Sequence, residues 1–269
     1  MFNYNEEYRI VSTSIAPIYS SPSFSSDLIN QALFWEGLIV LDKKEKWIKI
    51  KQRDGYVGWM HTFYTTDSEA YEKNPMLRNY DNWYFIKNRY SEILLKDNNR
   101  LLLSFGTILP CLINENKYIV ILPNNQKVNI DGNSIINITK NVRLDDVILY
   151  AKSLLGVPYL WGGRSSFGID CSGLVQTLLF FLKIHFPRDT KDQISFNNMI
   201  QIKSNFEKGD IIFFSKNTII NHVVIFINKS EYVHSSGSVR LNSISANNDN
   251  YDNHLFNLID SVYRINFNE

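Results

Sequence analysis

Residues 167–182 read FGIDCSGLVQTLLFFL and place Cys171, one of only two cysteines in 269 residues, directly after Asp170 where a long apolar run begins. A cysteine that merely fills a core fits inside such a run, not at its edge. At a helix start, unpaired backbone N–H groups and the helix dipole favour the thiolate, which is the nucleophilic form. Asp170 is also an ordinary N-cap residue. A buried, inert thiol is the other reading of the same cysteine.

A nucleophilic cysteine needs a base, and the base needs a third group to orient it. Five histidines are available: His61, His185, His222, His234 and His254. His222 opens HVVIFI and His234 sits in EYVHSSG, beyond the turn-like NKSE. Their separation is 234 − 222 = 12. In an antiparallel hairpin an even separation, with a connection of odd length, puts both side chains on one face of the sheet. A Cys/His/His zinc site would use the same atoms, but there is no second cysteine at C-x-x-C spacing and no metal is expected. His61, His185 and His254 read as surface or packing residues.

The elements that must position these groups follow from periodicity. RLDDVILYAKSLLG (143–156) spaces Leu144, Val147, Ile148, Ala151, Leu154 and Leu155 as one helical face, with Gly156 as its stop. CSGLVQTLLFFLKI (171–184) predicts a second helix, apolar nearly all round and therefore buried. DIIFFS, NHVVIFIN and EYVHSSGSVRLNSI are β-rich, so the C-terminal region predicts an α+β fold of helices on an antiparallel sheet. Upstream, KWIKIKQ (46–52) alternates with period two and DGYVGWM (54–60) is a turn running into a strand, which together predict a small β-barrel. RLLLSFGTILPCLI, KYIVILPNNQKVNI and NSIINIT repeat this character after a linker, TTDSEAYEKNPM (65–76). The expected division is 1–66, 67–142 and 143–269. Cys111 falls in the middle region as barrel core.

GVPYLWGGRSSFGIDCSGLVQ, FPRDTKDQ, KGDIIFF, NHVVIFI and YVHSSGSV, in that order, resemble the NlpC family of papain-like bacterial cell-wall peptidases across residues 143–240. Residues 14–60 resemble a bacterial SH3-like barrel, and the middle region a second, divergent one. The resemblance implies Cys171 as nucleophile, His222 as base and His234 as the residue that orients it. It also implies Tyr159 as an aid to the backbone oxyanion donors, and no cofactor. The murein-peptide-recycling branch of the family implies a γ-D-glutamyl-diamino acid endopeptidase acting on free peptides with an uncapped L-alanine. There Asp170 and Ser172 would meet the ammonium, with Tyr56 reaching from the first barrel. The family's acidic residue in the segment that here reads SDLINQ falls on Asp27, a shorter side chain. Arg188 could face substrate carboxylates, although a surface arginine is the simpler expectation.

Composition limits the alternatives. Apolar residues make up 44% and charged residues 20%, the net charge is +1, and no basic run occurs, which argues against a nucleic-acid partner. The start, MFNYNEEYRIVS, lacks the basic and apolar regions of a secretory signal, and DIIFFSKNTIINHVVIFI is too interrupted by polar residues to span a membrane. A cytoplasmic location is therefore expected; the oligomeric state stays open, with a monomer favoured. Two other readings stay open: an exported wall hydrolase whose barrels bind peptidoglycan, and a fragment-binding protein that has lost catalysis.

Overall fold

The computed structural model describes residues 7–67, 74–95 and 98–266. The chain divides into two compact units, residues 1–141 with 161–167, and residues 142–160 with 168–269. Of the expected linker 65–76, Thr65–Asp67 is a strand and Pro75 opens a 3-10 turn, while 68–73 lie outside the described residues. Among the described residues no helix is long and apolar enough to cross a membrane.

The first unit is built from strands. Seven of them, ordered Leu28–Leu33, Ile15–Tyr19, Val57–His61, Trp47–Lys51, Gly37–Lys44, Glu7–Val11 and Thr65–Asp67, form an antiparallel SH3-like sheet. Its core holds Val11, Ala16, Ile18, Leu38, Ile50 and Met60, the inward halves of alternating strands. A second sheet orders Lys127–Ile130, Lys117–Ile121, Ile108–Asn114, Trp83–Ile86 and Ile135–Asn137, with the hairpin Tyr90–Leu94 and Arg100–Ser104 beside it. Trp35 joins the two cores, its indole N–H donating to the Ile121 carbonyl at 2.7 Å and its ring set edge-on to Trp83. Residues 161–167, which the sequence assigns to the C-terminal region, group with this unit. The Arg164 guanidinium pairs with Glu36, and Tyr90 donates to the Ser166 carbonyl at 2.7 Å. Gly162 is required here, because a Cβ would stand 2.7 Å from the Leu28 carbonyl oxygen.

The second unit sets helices on a six-stranded antiparallel sheet. The strand order is Met199–Gln201, Ile259–Ile265, Ile211–Lys216, Ile219–Phe226, Glu231–Ser236, Ser238–Ser243. Helix Leu144–Ser153 buries Val147, Ile148 and Ala151. Leu155, expected on its apolar face, lies beyond the helix end and is exposed. Helix Cys171–Phe181 is buried along nearly its whole length and packs on the strands that carry the two histidines.

That helix ends three residues earlier than its apolar run. Lys183 takes a left-handed φ of 63°, its N–H donates to the Phe180 carbonyl, and the Ile184 N–H donates to the Leu179 carbonyl at 3.1 Å. These two bonds are the Schellman closure, here without the usual glycine. A left-handed non-glycine residue costs about 1–2 kcal/mol, partly offset by glycine's greater freedom when unfolded. Lys183→Gly is therefore expected to stabilise the protein by about 0.5–1 kcal/mol, seen as a higher urea midpoint at unchanged slope. A lower midpoint would show that the lysine side chain contributes more than its backbone costs.

Candidate active site

Cys171 occupies the first turn of its helix because Asp170 caps it. The Asp170 carboxylate accepts the Gly173 N–H at 2.7 Å, satisfying a donor the helix leaves unpaired. The same carboxylate forms a two-pronged ion pair with Arg188, at 3.0 Å from Nη1 to Oδ1 and 2.7 Å from Nη2 to Oδ2. Ser172 completes the cluster, donating to Asp170 Oδ1 at 3.2 Å and accepting from Arg188 Nη1 at 2.8 Å. The surface arginine expected at 188 is in fact 4% exposed. Gln193 holds the segment carrying it, donating to the Ser172 and Pro187 carbonyls.

The histidines stand on neighbouring strands. Ile225 pairs with Val233 and Phe226 with Tyr232, so His222 and His234 share one face as a diagonal pair. His222 Nε2 and His234 Nδ1 are 2.8 Å apart. His234 is fully buried, and its Nε2 lies 2.8 Å from Asn242 Oδ1. With both nitrogens engaged, His234 has no lone pair to offer a metal ion, which removes the zinc reading. Ser235 ties this strand to the segment before the nucleophile, donating to the Ile169 carbonyl at 2.7 Å.

Burial dominates the electrostatics. It pushes the Cys171 thiol up to about 11, and the Asp170 carboxylate adds to this. The N–H groups of Val223 and Ser172 and the Arg188 guanidinium oppose the rise without cancelling it. The expected resting thiolate is thus replaced by a neutral thiol. Burial first, then the neighbouring His234 and Arg240, holds His222 below the ordinary imidazole range, so it is neutral and able to accept a proton. Burial likewise lowers His234, against the hydrogen bond its ring makes to the Asn242 side-chain oxygen. Tyr159 is pushed up to about 12 by burial and by Cys171 and Asp170, so its phenol remains a donor. Its backbone is held by the carbonyl of Gly237, whose φ of 71° makes the sharp turn between the strands of His234 and Asn242.

Tyr56 and Asp27 belong to the first unit. Tyr56 donates to the Ile29 carbonyl at 3.3 Å from a half-buried turn, and Asp27 is an exposed residue just before strand Leu28–Leu33. His61 accepts the Phe63 N–H within an aromatic cluster, His185 packs on Phe180, and His254 is exposed. Cys111 and Cys171 are both free thiols. Asn242 and Arg240 escaped the sequence analysis, although RLN places both at even positions of the return strand, on the face of His234.

Two outcomes follow. Alkylation of Cys171 by iodoacetamide, followed by mass spectrometry of its peptide, is expected to accelerate steadily from pH 7 towards the thiol's value of about 11. A rate already level below pH 6 would mean a preformed thiolate–imidazolium pair instead. Arg188→Met leaves the buried Asp170 carboxylate without its partner, and is expected to cost about 3–5 kcal/mol in denaturant melts. A loss under 1 kcal/mol would place the pair effectively in solvent.

Known proteins resemble this chain over most of its length. Residues 156–259 match the NlpC/P60 family, and residues 18–62 match the bacterial dipeptidyl-peptidase Sh3 domain. A gamma-D-glutamyl-L-lysine dipeptidyl-peptidase of Bacillus cereus is 30% identical over 237 residues, covering 80% of this chain and 69% of its own length. A protein of the same name from Bacillus subtilis is 26% identical over 219 residues, covering 76% and 71%. The crystal structure of an NlpC/P60 family protein from Bacillus cereus shares the fold with a TM-score of 0.82 at 24% identity, over 96% of this chain and 99% of that one. With the family match over residues 156–259 and 30% identity to the Bacillus cereus dipeptidyl-peptidase across 80% of this chain and 69% of that one, this protein belongs to the NlpC/P60 family and is a cysteine peptidase.

Proposed function

We propose that the protein cleaves the amide bond between the γ-carboxyl of D-glutamate and the following diamino acid in free murein peptides that begin with an uncapped L-alanine. The observation that carries this reading is the buried Asp170–Ser172–Arg188 cluster built onto the first turn that bears Cys171. Such a peptide brings an ammonium and an α-carboxylate close to its scissile amide. A carboxylate and a guanidinium fixed beside the nucleophile are complementary to that pair of charges. The names of the two Bacillus relatives support the same bond.

The reaction starts from a neutral thiol and a neutral imidazole. His222 takes the thiol proton as Cys171 Sγ attacks the γ-carbonyl, so the thiolate forms only when a carbonyl is there to receive it. The oxyanion is received by backbone N–H groups at the helix start and by the Tyr159 hydroxyl. The C–N bond breaks as the His222 imidazolium gives its proton to the departing amine. A γ-glutamyl thioester remains on Cys171. Water, deprotonated by His222, attacks that thioester, releases the γ-carboxylic acid and regenerates the thiol. His234 holds the His222 ring in place through both halves, by the 2.8 Å contact between its Nδ1 and His222 Nε2. We place the enzyme in the cytoplasm, where a reducing environment keeps the Cys171 thiol usable.

The test is mass spectrometry of the full chain incubated with L-Ala-γ-D-Glu-meso-diaminopimelate, with the same peptide acetylated on its amine, and with the lysine analogue. Cleavage after D-Glu of the free-amine peptides only, abolished by Cys171→Ala, is the expected result. Equal cleavage of the acetylated peptide would overturn the amine requirement and favour a hydrolase of intact wall. Tight binding without turnover, unchanged in Cys171→Ala, would leave a binding protein.

A further inference from the structure

His234 is held at both ring nitrogens, and a neutral imidazole carries one N–H and one lone pair. Which nitrogen bears the proton decides what His222 can do. If His234 is protonated at Nε2, its Nδ1 accepts the Nε2–H of His222, and His222 Nδ1 keeps a lone pair. If His234 is protonated at Nδ1, it donates to His222 Nε2, the proton of His222 moves to Nδ1, and no basic nitrogen remains for a thiol proton.

Two neighbours compete for His234 Nε2. Arg240, directly opposite His234 in the strand pair, brings Nε to 3.4 Å and can only donate. Asn242, two residues further along the same face, brings Oδ1 to 2.8 Å and can only accept there. An asparagine could present either end of its amide, but this one cannot turn. Its Nδ2 donates at 3.1 Å to the Asn250 carbonyl, a pure acceptor that also receives the Ser243 N–H at 3.0 Å.

We infer that Asn242 is a positioning residue: its amide, pinned by the Asn250 carbonyl, selects the Nε2–H tautomer of His234 against Arg240 and thereby leaves His222 Nδ1 as the base. The inference rests on the peptidase reading of Cys171, His222 and His234. The charged groups acting on the two rings are Arg240 and Asp252, with Phe214 and Tyr232 packed against them as uncharged rings.

The test combines nitrogen-detected NMR of histidine-labelled full-length protein with kinetics of Asn242→Leu, Asn242→Asp and the double variant Asn242→Leu/Arg240→Leu. At pH 7 the wild type is expected to show both His222 and His234 protonated at Nε2. Asn242→Leu, left with Arg240 as the only neighbour at that nitrogen, is expected to move the His234 proton to Nδ1 and lower kcat about 100-fold with KM little changed. Removing the competing donor in the double variant is expected to recover about tenfold of that loss, which a merely structural role for Asn242 would not allow. Asn242→Asp keeps an acceptor but adds a charge that favours the His234 imidazolium. Its kcat/KM is therefore expected to approach wild type at high pH, with the acidic limb of the profile moved upward. Wild-type His234 protonated at Nδ1, or an Asn242→Leu protein with unaltered tautomers and kcat, would overturn the inference. A wild type that cleaves none of the peptides would instead overturn the proposed substrate, and the ring-nitrogen spectra would still decide the tautomer.

Discussion

The carboxylate of Asp170 is the constraint on which the catalytic unit depends. One side chain caps the nucleophile helix, neutralises a buried arginine and holds a serine hydroxyl. A buried charge is tolerated only with its partner in place, so Asp170 and Arg188 fix each other. Arg188 in turn fixes the segment that Gln193 pins to the Ser172 carbonyl. The result is a helix start that cannot fray, and a cysteine whose backbone direction is set before any substrate arrives.

Opposing effects meet at that cysteine. A helix N-terminus stabilises a negative charge by about 0.3–1 kcal/mol at an exposed site and up to about 2 kcal/mol when partly buried. Full burial can move an ionisable group by about 3–5 pK units, each worth about 1.4 kcal/mol. Desolvation wins, and the thiol stays neutral. This makes the histidine pair more important, since the nucleophile must be generated within the complex. The pleat of the sheet supplies the pair: even-numbered residues on three adjacent strands bring His222, His234 and Asn242 to one face.

Much of this was legible in the sequence, and the remainder was hidden for identifiable reasons. Local signals carried the helix start at Asp170, and the spacing of twelve carried the histidine pair, because N-caps and strand alternation act over a few residues. The burial of Arg188 was not legible, since its partner lies 18 residues away and their pairing depends on the packed path between them. The helix was read past Phe181 because apolar pattern continues to Ile184, whereas Lys183 leaves helical geometry without a glycine to announce it. Asn242 showed the right alternation, but only the hairpin register says that it reaches His234. Residues 161–167 lie in the middle of a family-like stretch, yet their hydrogen bonds run to Gln31, Glu36 and Ser104.

The second cysteine has a use of its own. Cys111 is 1% exposed in the core of the second sheet, and burial raises its thiol to about 12. It is therefore silent towards electrophiles while that sheet is intact and becomes an ordinary thiol when it opens. The chain thus contains two sulfurs that report on different events: one marks engagement of the reaction centre, the other loss of structure in a separate part of the molecule. Counting thiols by mass in a Cys171→Ala background would follow melting of the strand region with no label introduced.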